Sequence, residues 1–326
     1  MKHLLAFAVC MLAGCATPNA VPRMAPLVDY HQHLVSPTFQ PLVKLPLRDG
    51  AALVRELDAA GISRAVVLSV AYTYGDERKP IDEQDRDRMA REENDWTSAQ
   101  VTANSPRLIG FCSANPLRET ALAELQRCLR LPGMKGIKLH FGNSGVTLRN
   151  PNHLARVQQV YALAERLRVP VLVHMRARGG TNYGAEDARL FLERVAPLAP
   201  NVDLIVAHLG GAGPGYGAQT DEVMAVFADA ADHRDRRMRN VYFDVATDVT
   251  DETSAAEGML IARRLRSVGV DHVLYGSDLS PPGGNILAGW KIFRAHVPLT
   301  ASEFQTIEDN LLPFVRQVAR RGQRPG

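Results

Sequence analysis

Eight short runs rich in β-branched residues, each followed by a stretch of helical periodicity, constrain this chain more than any other feature. They are LVDYHQH (27–33), RAVVLSV (64–70), RLIGFCS (107–113), KGIKLHF (135–141), VPVLVHM (169–175), VDLIVAH (202–208), VYFDVA (241–246) and HVLYGSD (272–278). In the stretches between them apolar residues recur at i, i+3, i+4 and i+7, the signature of helices packed by one face. The clearest carries Leu154, Val157, Tyr161, Ala164 and Leu167, with Asn150 as cap, Pro151 in the first turn and Pro170 as stop. Another places Leu260, Arg264, Leu265 and Val268 after Thr253. Eight such units predict an α/β fold, a (β/α)8 TIM barrel. A doubly wound open sheet uses the same elements, but no glycine-rich phosphate loop follows the first strand. No internal repeat or linker divides residues 27–326, which read as one domain. The charged stretch 72–106 reads as a surface helix plus a loop. Tyr72 and Tyr74 at its start either shape a pocket or stand exposed in that loop.

Polar residues collect where the strands end. His31 and His33 end the first strand one residue apart, and side chains at i and i+2 share a face. Lys138 and His140 end the fourth, His174 the fifth, His208 the sixth and Asp278 the eighth. Barrel enzymes place their chemistry at this carboxyl end. A lone histidine there is most simply a satisfied rim residue, but packing does not explain so many polar groups at one level unless they pair or bind a metal. Closure of a barrel also sets the eighth strand beside the first, bringing Asp278 to His33.

The first residues read as an address. Lys2 and His3 precede the apolar run LLAFAVCML, and LAGC closes at Cys15. Residues 1–14 have the order of a secretory signal and are too short to span a bilayer as a stable helix. LAGC resembles the lipobox of bacterial lipoproteins, which implies a lipid on Cys15, a linker over 15–26 and a membrane held through that anchor. Ala16, where retained lipoproteins carry Asp, implies the outer membrane, facing the periplasm. Of the other cysteines, Cys128 lies on the apolar stripe with Leu122, Leu125 and Leu129 and reads as core. An oxidising compartment permits a bridge to Cys112, but sequence supplies no Cα separation. The chain is 46% apolar and 22% charged with a net charge of +3, as soluble globular proteins are. Its basic clusters, HRDRRMR and RQVARRGQR, lack interleaved aromatics, so they read as solvated surface and nucleic acid is not an expected partner.

The pieces DYHQH, GIKLHF, VLVHM, IVAHLGG and LYGSDLSP, with NDWTSAQV and RLIGFCSANP, resemble the amidohydrolase superfamily. The likeness is to its amidohydrolase-related branch, which holds aminocarboxymuconate semialdehyde decarboxylase and related hydrolases, and it runs from Val28 to the end of the barrel. The resemblance implies one divalent metal, with zinc suited to the donors, held by His31, His33, His174 and Asp278. It implies that Asp278 takes a proton from a metal-activated water. It also implies that His208 polarises the substrate or moves protons, unless it is a further ligand or structural. Lys138 is read as a cation facing the substrate or supporting the ligands, with a bridging carbamate between two metals as the other reading. His140 lines the pocket or sits on its rim. Arg176 pairs with a substrate carboxylate or is a solvated loop residue. The expected function is a small-molecule hydrolase cleaving an amide, ester or lactone. The alternatives are a nonoxidative decarboxylase and a catalytically inactive surface lipoprotein. Substrate and oligomeric state stay open.

Overall fold

The computed structural model describes residues 25–179, 182–278 and 285–321. The leader, Cys15 and the linker as far as residue 24 lie outside the described residues. Eight strands form one sheet in chain order: β1 Val28–Gln32, β2 Arg64–Leu68, β3 Leu108–Ser113, β4 Met134–His140, β5 Val171–His174, β6 Leu204–Val206, β7 Val241–Asp244 and β8 Val273–Leu274. Every neighbouring pair is parallel. All eight expected strands are present, and this is the (β/α)8 barrel.

The seam between first and last strands is closed by bonds that run past the end of β8. Tyr30 N donates to Tyr275 O at 2.8 Å and Asp278 N to His31 O at 2.8 Å. Asp29, fully buried, reinforces them by accepting from Ser277 Oγ at 2.6 Å, Ser277 N at 3.1 Å and Gln32 Nε2 at 2.7 Å. β8 is shorter than its sequence run because residues 275–278 spend their backbone on this seam, and Asp278 leaves it in the left-handed region (φ 46°).

Both faces of the sheet are buried, which is why the strands read as nearly continuous apolar runs. One face packs on the surrounding helices through Ala65, Val67, Ile137, Leu139, Val171 and Val173. The other fills the barrel, where Tyr30, Phe111, Leu172 and Ile205 meet Leu312 and Phe314 from the chain's end. These last two close one end, which leaves chemistry to the other. Complete burial of one such side chain contributes about 1.5–3 kcal/mol.

The helix Pro151–Leu167 begins and ends as its sequence predicts. Asn150 Oδ1 accepts from Asn152 N at 2.9 Å and His153 N at 3.4 Å, and Arg168 turns left-handed at its end. The later helix, Ala255–Val268, is capped by Ser254, whose Oγ accepts from Glu257 N at 3.2 Å. Thr253 instead closes a turn, accepting from Thr250 N at 3.0 Å.

The stretch after β2 is more embedded than its charge indicates. Its helix, Glu83–Ala103, buries Glu93 and Asn94, and both tyrosines of the preceding turn are buried. Tyr74 Oη donates to Glu93 Oε2 at 2.9 Å, and the Tyr72 ring lies 4.9 Å from that of His140. Tyr72 is therefore a wall beside a strand end, not a loose loop aromatic. Cys128 is core, as expected, and is also bridged to Cys112, with Cα atoms 5.9 Å apart. A cross-link closing a loop of that length (16 residues) contributes about 3 kcal/mol, chiefly by restricting the unfolded chain.

Candidate metal centre

The two histidines that open the site are aimed by an irregularity in β1. Its register against β2 shifts between Asp29 and Gln32. As a result Tyr30 packs on Phe314, with ring centroids 6.3 Å apart, while the adjacent His31 faces His208 at 4.8 Å. Strand irregularities of this kind re-aim side chains beside active sites. His31 and His33 have ring centroids 5.3 Å apart.

Three histidines present the same nitrogen in the same direction. His31 Nδ1 bonds Asp244 Oδ2 at 2.9 Å, His33 Nδ1 bonds Leu68 O at 2.8 Å, and His208 Nδ1 bonds Ala246 O at 2.7 Å. Each Nδ1 faces an acceptor, so each must carry the hydrogen, and each neutral Nε2 keeps a lone pair. The three Nε2 atoms converge on Asp278, at 3.7 Å for His31, 3.6 Å for His33 and 3.6 Å for His208. Ligand atoms of His31, His208 and Asp278 all lie within 4.8 Å of one another. In this tautomer His208 Nε2 can accept a proton or bind a cation, and it has no hydrogen to donate to a substrate carbonyl.

Electrostatics keep these groups ready for a cation. Burial, with the Lys138 charge beside it, holds His31 well below the usual imidazole range, and burial lowers His33 to about 4. Burial and neighbouring charges do the same for His140 and His174. Neutral imidazoles are what a metal requires. Burial acts to raise the Asp278 carboxyl, but its net direction is below the ordinary range, and Lys138 is the neighbour whose full positive charge favours the carboxylate. Asp278 is also the most open of the group, with 27% of its side chain exposed.

The remaining residues divide between centre and rim. Lys138 is buried, with Nζ 3.4 Å from His31 Nε2, and burial lowers its pKa to about 8. His174 stacks on His140 with centroids 4.0 Å apart, since the two are register partners across β4 and β5. The His174 ring is 5.1 Å from that of His208, and its buried Nδ1 has no hydrogen-bond partner. His140 Nδ1 accepts from Asn143 N at 3.2 Å, capping a short helix at the rim. Arg176 is half-buried and donates to Gln219 Oε1 at 2.7 Å beside the glycine-rich loop 212–217.

Asp244 was not singled out by sequence, though it ends β7 where its neighbours end their strands. It is fully buried and accepts from His31 Nδ1, from His208 N at 2.9 Å and from Ala246 N at 3.2 Å. Its position as the last residue of a strand, in VYFD, was the available signal. The site also gathers backbone strain. His208 (φ 54°), Leu209 (φ 47°), Thr247 (φ 58°) and Asp278 (φ 46°) are all left-handed without being glycine. Each such residue costs about 1–3 kcal/mol, and such costs cluster where function requires the geometry.

The donors fit a divalent metal. Imidazole lone pairs, one ionised carboxylate, a carboxylate behind one histidine and an orphaned buried His174 Nδ1 form the set that first-row divalent ions take. A barrel with this cluster at its open end defines the class of metal-dependent barrel enzymes. The amidohydrolase family matches residues 28–309, and the chain belongs to that family of enzymes. No curated protein matches the sequence. Solved structures share the fold at low identity. The 2,6-dihydroxybenzoate decarboxylase from Rhizobium is 17% identical with a TM-score of 0.59, covering 92% of this chain and 100% of its own. A protein from Pseudomonas putida described as a proposed 2-pyrone-4,6-dicarboxylic acid hydrolase is 14% identical with a TM-score of 0.58, covering 91% and 98%. A dihydroxybenzoic acid decarboxylase from Polaromonas, solved with manganese and 2-nitroresorcinol, is 14% identical with a TM-score of 0.56, covering 92% and 98%.

Proposed function

We propose that this chain is a metal-dependent hydrolase cleaving an amide, ester or lactone bond of a small molecule. The observation that carries it is Asp278, ionised, partly exposed and faced by three Nε2 lone pairs. His31, His33, His174 and Asp278 would hold the metal, zinc by donor chemistry, with His208 Nε2 as a further donor or a proton acceptor. A bound divalent ion supplies a Lewis acid and lowers the pKa of water towards 7. Asp278, the most open of the group, would accept the proton of the attacking water. Lys138 donates towards negative charge on the substrate, and Arg176 pairs with a substrate carboxylate. Purified protein is expected to carry about one divalent ion per chain, and His31→Ala to lose most of it while Lys138→Ala keeps it. Two ions in the wild type, one of them lost with Lys138, would select the bridging carbamate instead.

The decarboxylases among the structural neighbours support a second reading, the nonoxidative loss of carbon dioxide from a carboxylic acid. Turnover in 18O-labelled water separates the two, since hydrolysis places the label in the organic product and carbon–carbon cleavage leaves that product unlabelled. We also assign the chain to the outer membrane, anchored by a lipid on Cys15 and facing the periplasm. Fatty-acid labelling that persists in Cys15→Ala would defeat that placement.

A further inference from the structure

The backbone that carries His31 and His33 is held by side chains as much as by the sheet. The register shift against β2 interrupts the ladder between Asp29 and Gln32. Elsewhere the strands meet the helices through apolar side chains, but Asp29, Gln32 and Arg48 along this stretch are polar and fully buried. Arg48 Nη1 donates to His33 O at 2.7 Å and to Gln32 Oε1 at 2.8 Å, and its guanidinium pairs with Glu56. Gln32 Nε2 donates to Asp29 Oδ2 at 2.7 Å and to Ser277 Oγ. Asp29 Oδ1 accepts from His31 N at 3.0 Å and from Ser277 N at 3.1 Å, so one oxygen ties the histidine pair to the residue before Asp278.

Gln32 is the joint of this chain of bonds. Only a side chain with both an NH2 and a carbonyl oxygen donates to a carboxylate at one end and accepts from a guanidinium at the other. Exchanging its two ends would set the NH2 against Arg48 and the oxygen against Asp29, so its orientation is determined. Glu at this position could not donate to Asp29, and Met could make neither bond. Buried polar groups are costly unless satisfied, whereas a satisfied network rigidifies the backbone it joins. The backbone joined here is that of the ligand segments. His31 N, His33 O and Ser277 N all bond to the chain, and Asp278 N adds the last tie to His31 O at 2.8 Å.

We propose that Gln32 is a positioning residue of the metal centre. By joining Arg48 to Asp29 and Ser277 it fixes the spacing between the histidine pair and Asp278, and so sets how tightly, and in what geometry, a divalent ion is held. This rests on reading the site as a metal centre. The test needs no substrate. Zinc dissociation constants are measured by chelator competition on the full chain, and the visible absorption of the cobalt(II)-loaded protein reports ligand geometry. The proteins compared are wild type, Gln32→Met, Ser277→Ala and Val195→Ala, the last a truncation of a fully buried side chain in the segment before β6. Gln32→Met keeps the length of the side chain and removes its bonds. It should bind zinc about tenfold or more weakly, the range typical of residues that support metal ligands, with the wild-type number of ions at saturation and shifted cobalt bands. Ser277→Ala, which removes one partner of Gln32, should change both readouts in the same direction by less. Val195→Ala should lose thermal stability and keep the wild-type affinity and spectrum, which separates positioning from general loosening. Wild-type affinity or an unchanged cobalt spectrum in Gln32→Met overturns the proposal, and so does an equal change in Val195→Ala. Where Gln32→Met does not fold, Ser277→Ala decides by the same criteria. A wild type that binds no divalent ion refutes the metal reading and this proposal together, whereas a wild type that binds one as tightly as Gln32→Met does refutes the proposal alone.

Discussion

Asp278→Asn is expected to retain part of its metal and to lose about 10²- to 10⁴-fold in turnover, the usual cost of removing a general base. Asn keeps the shape but only one oxygen, which can face His31 and His33 or His208 but not both sets, and it has no basic oxygen near neutral pH. The pH profile gives an independent reading. The neighbours of Asp278 hold its pKa below the ordinary range, so the wild-type base is ionised at neutral pH and is lost only as pH falls through that depressed value. The acidic limb of the rate profile belongs to this loss and should vanish or move in the variant. Metal content and turnover are measured on one preparation. A fully metallated Asn variant with near wild-type turnover would remove Asp278 from the chemistry and leave His208 Nε2 as the proton acceptor.

The second large effect is expected at Asp244, which has no role in the chemistry itself. Its Oδ2 faces His31 Nδ1 at 2.9 Å and thereby keeps the Nε2 lone pair pointed at the site. In Asp244→Asn the amide can turn its NH2 to His31, which drives the hydrogen onto Nε2 and spoils the donor. The same variant weakens the bonds from His208 N and Ala246 N to Oδ1. Metal affinity should fall about 10- to 100-fold, as it does when the partner of a ligating histidine is removed. Turnover at saturating metal should recover more fully than in Asp278→Asn. Equal metal affinity in wild type and variant would show that the His31 tautomer is set elsewhere.

The barrel was legible because its cause is local. Strands buried on both faces read as apolar runs, and helices packed by one face repeat near 3.6 residues. Strand-end residues His31, Lys138, His174, His208 and Asp278 were legible for the same reason, since position along a strand fixes position in the barrel. What sequence did not yield depends on long-range pairing. Asp244 matters through a histidine more than two hundred residues earlier. Tyr74 is buried with Glu93, which turns inward from a helix whose composition reads as solvated, and Tyr72 is buried beside His140 on a distant strand. The disulfide requires a separation only the fold supplies.

The seam between β1 and the residues after β8 has a consequence for how the protein comes into being. Asp29 and Ser277 are 248 residues apart in sequence, and their bonds form only once the ring is complete. A chain made from its N-terminus carries His31 and His33 through most of its synthesis before Asp278 exists. Contacts of such separation pay their loop-closure entropy late, and barrels that depend on them close slowly. During that interval the nascent histidines have their lone pairs but not their carboxylate, so any ion they catch is held loosely. On the proposed metal reading, the ion that stays would be selected only after the last strand arrives, in whichever compartment the finished ring closes.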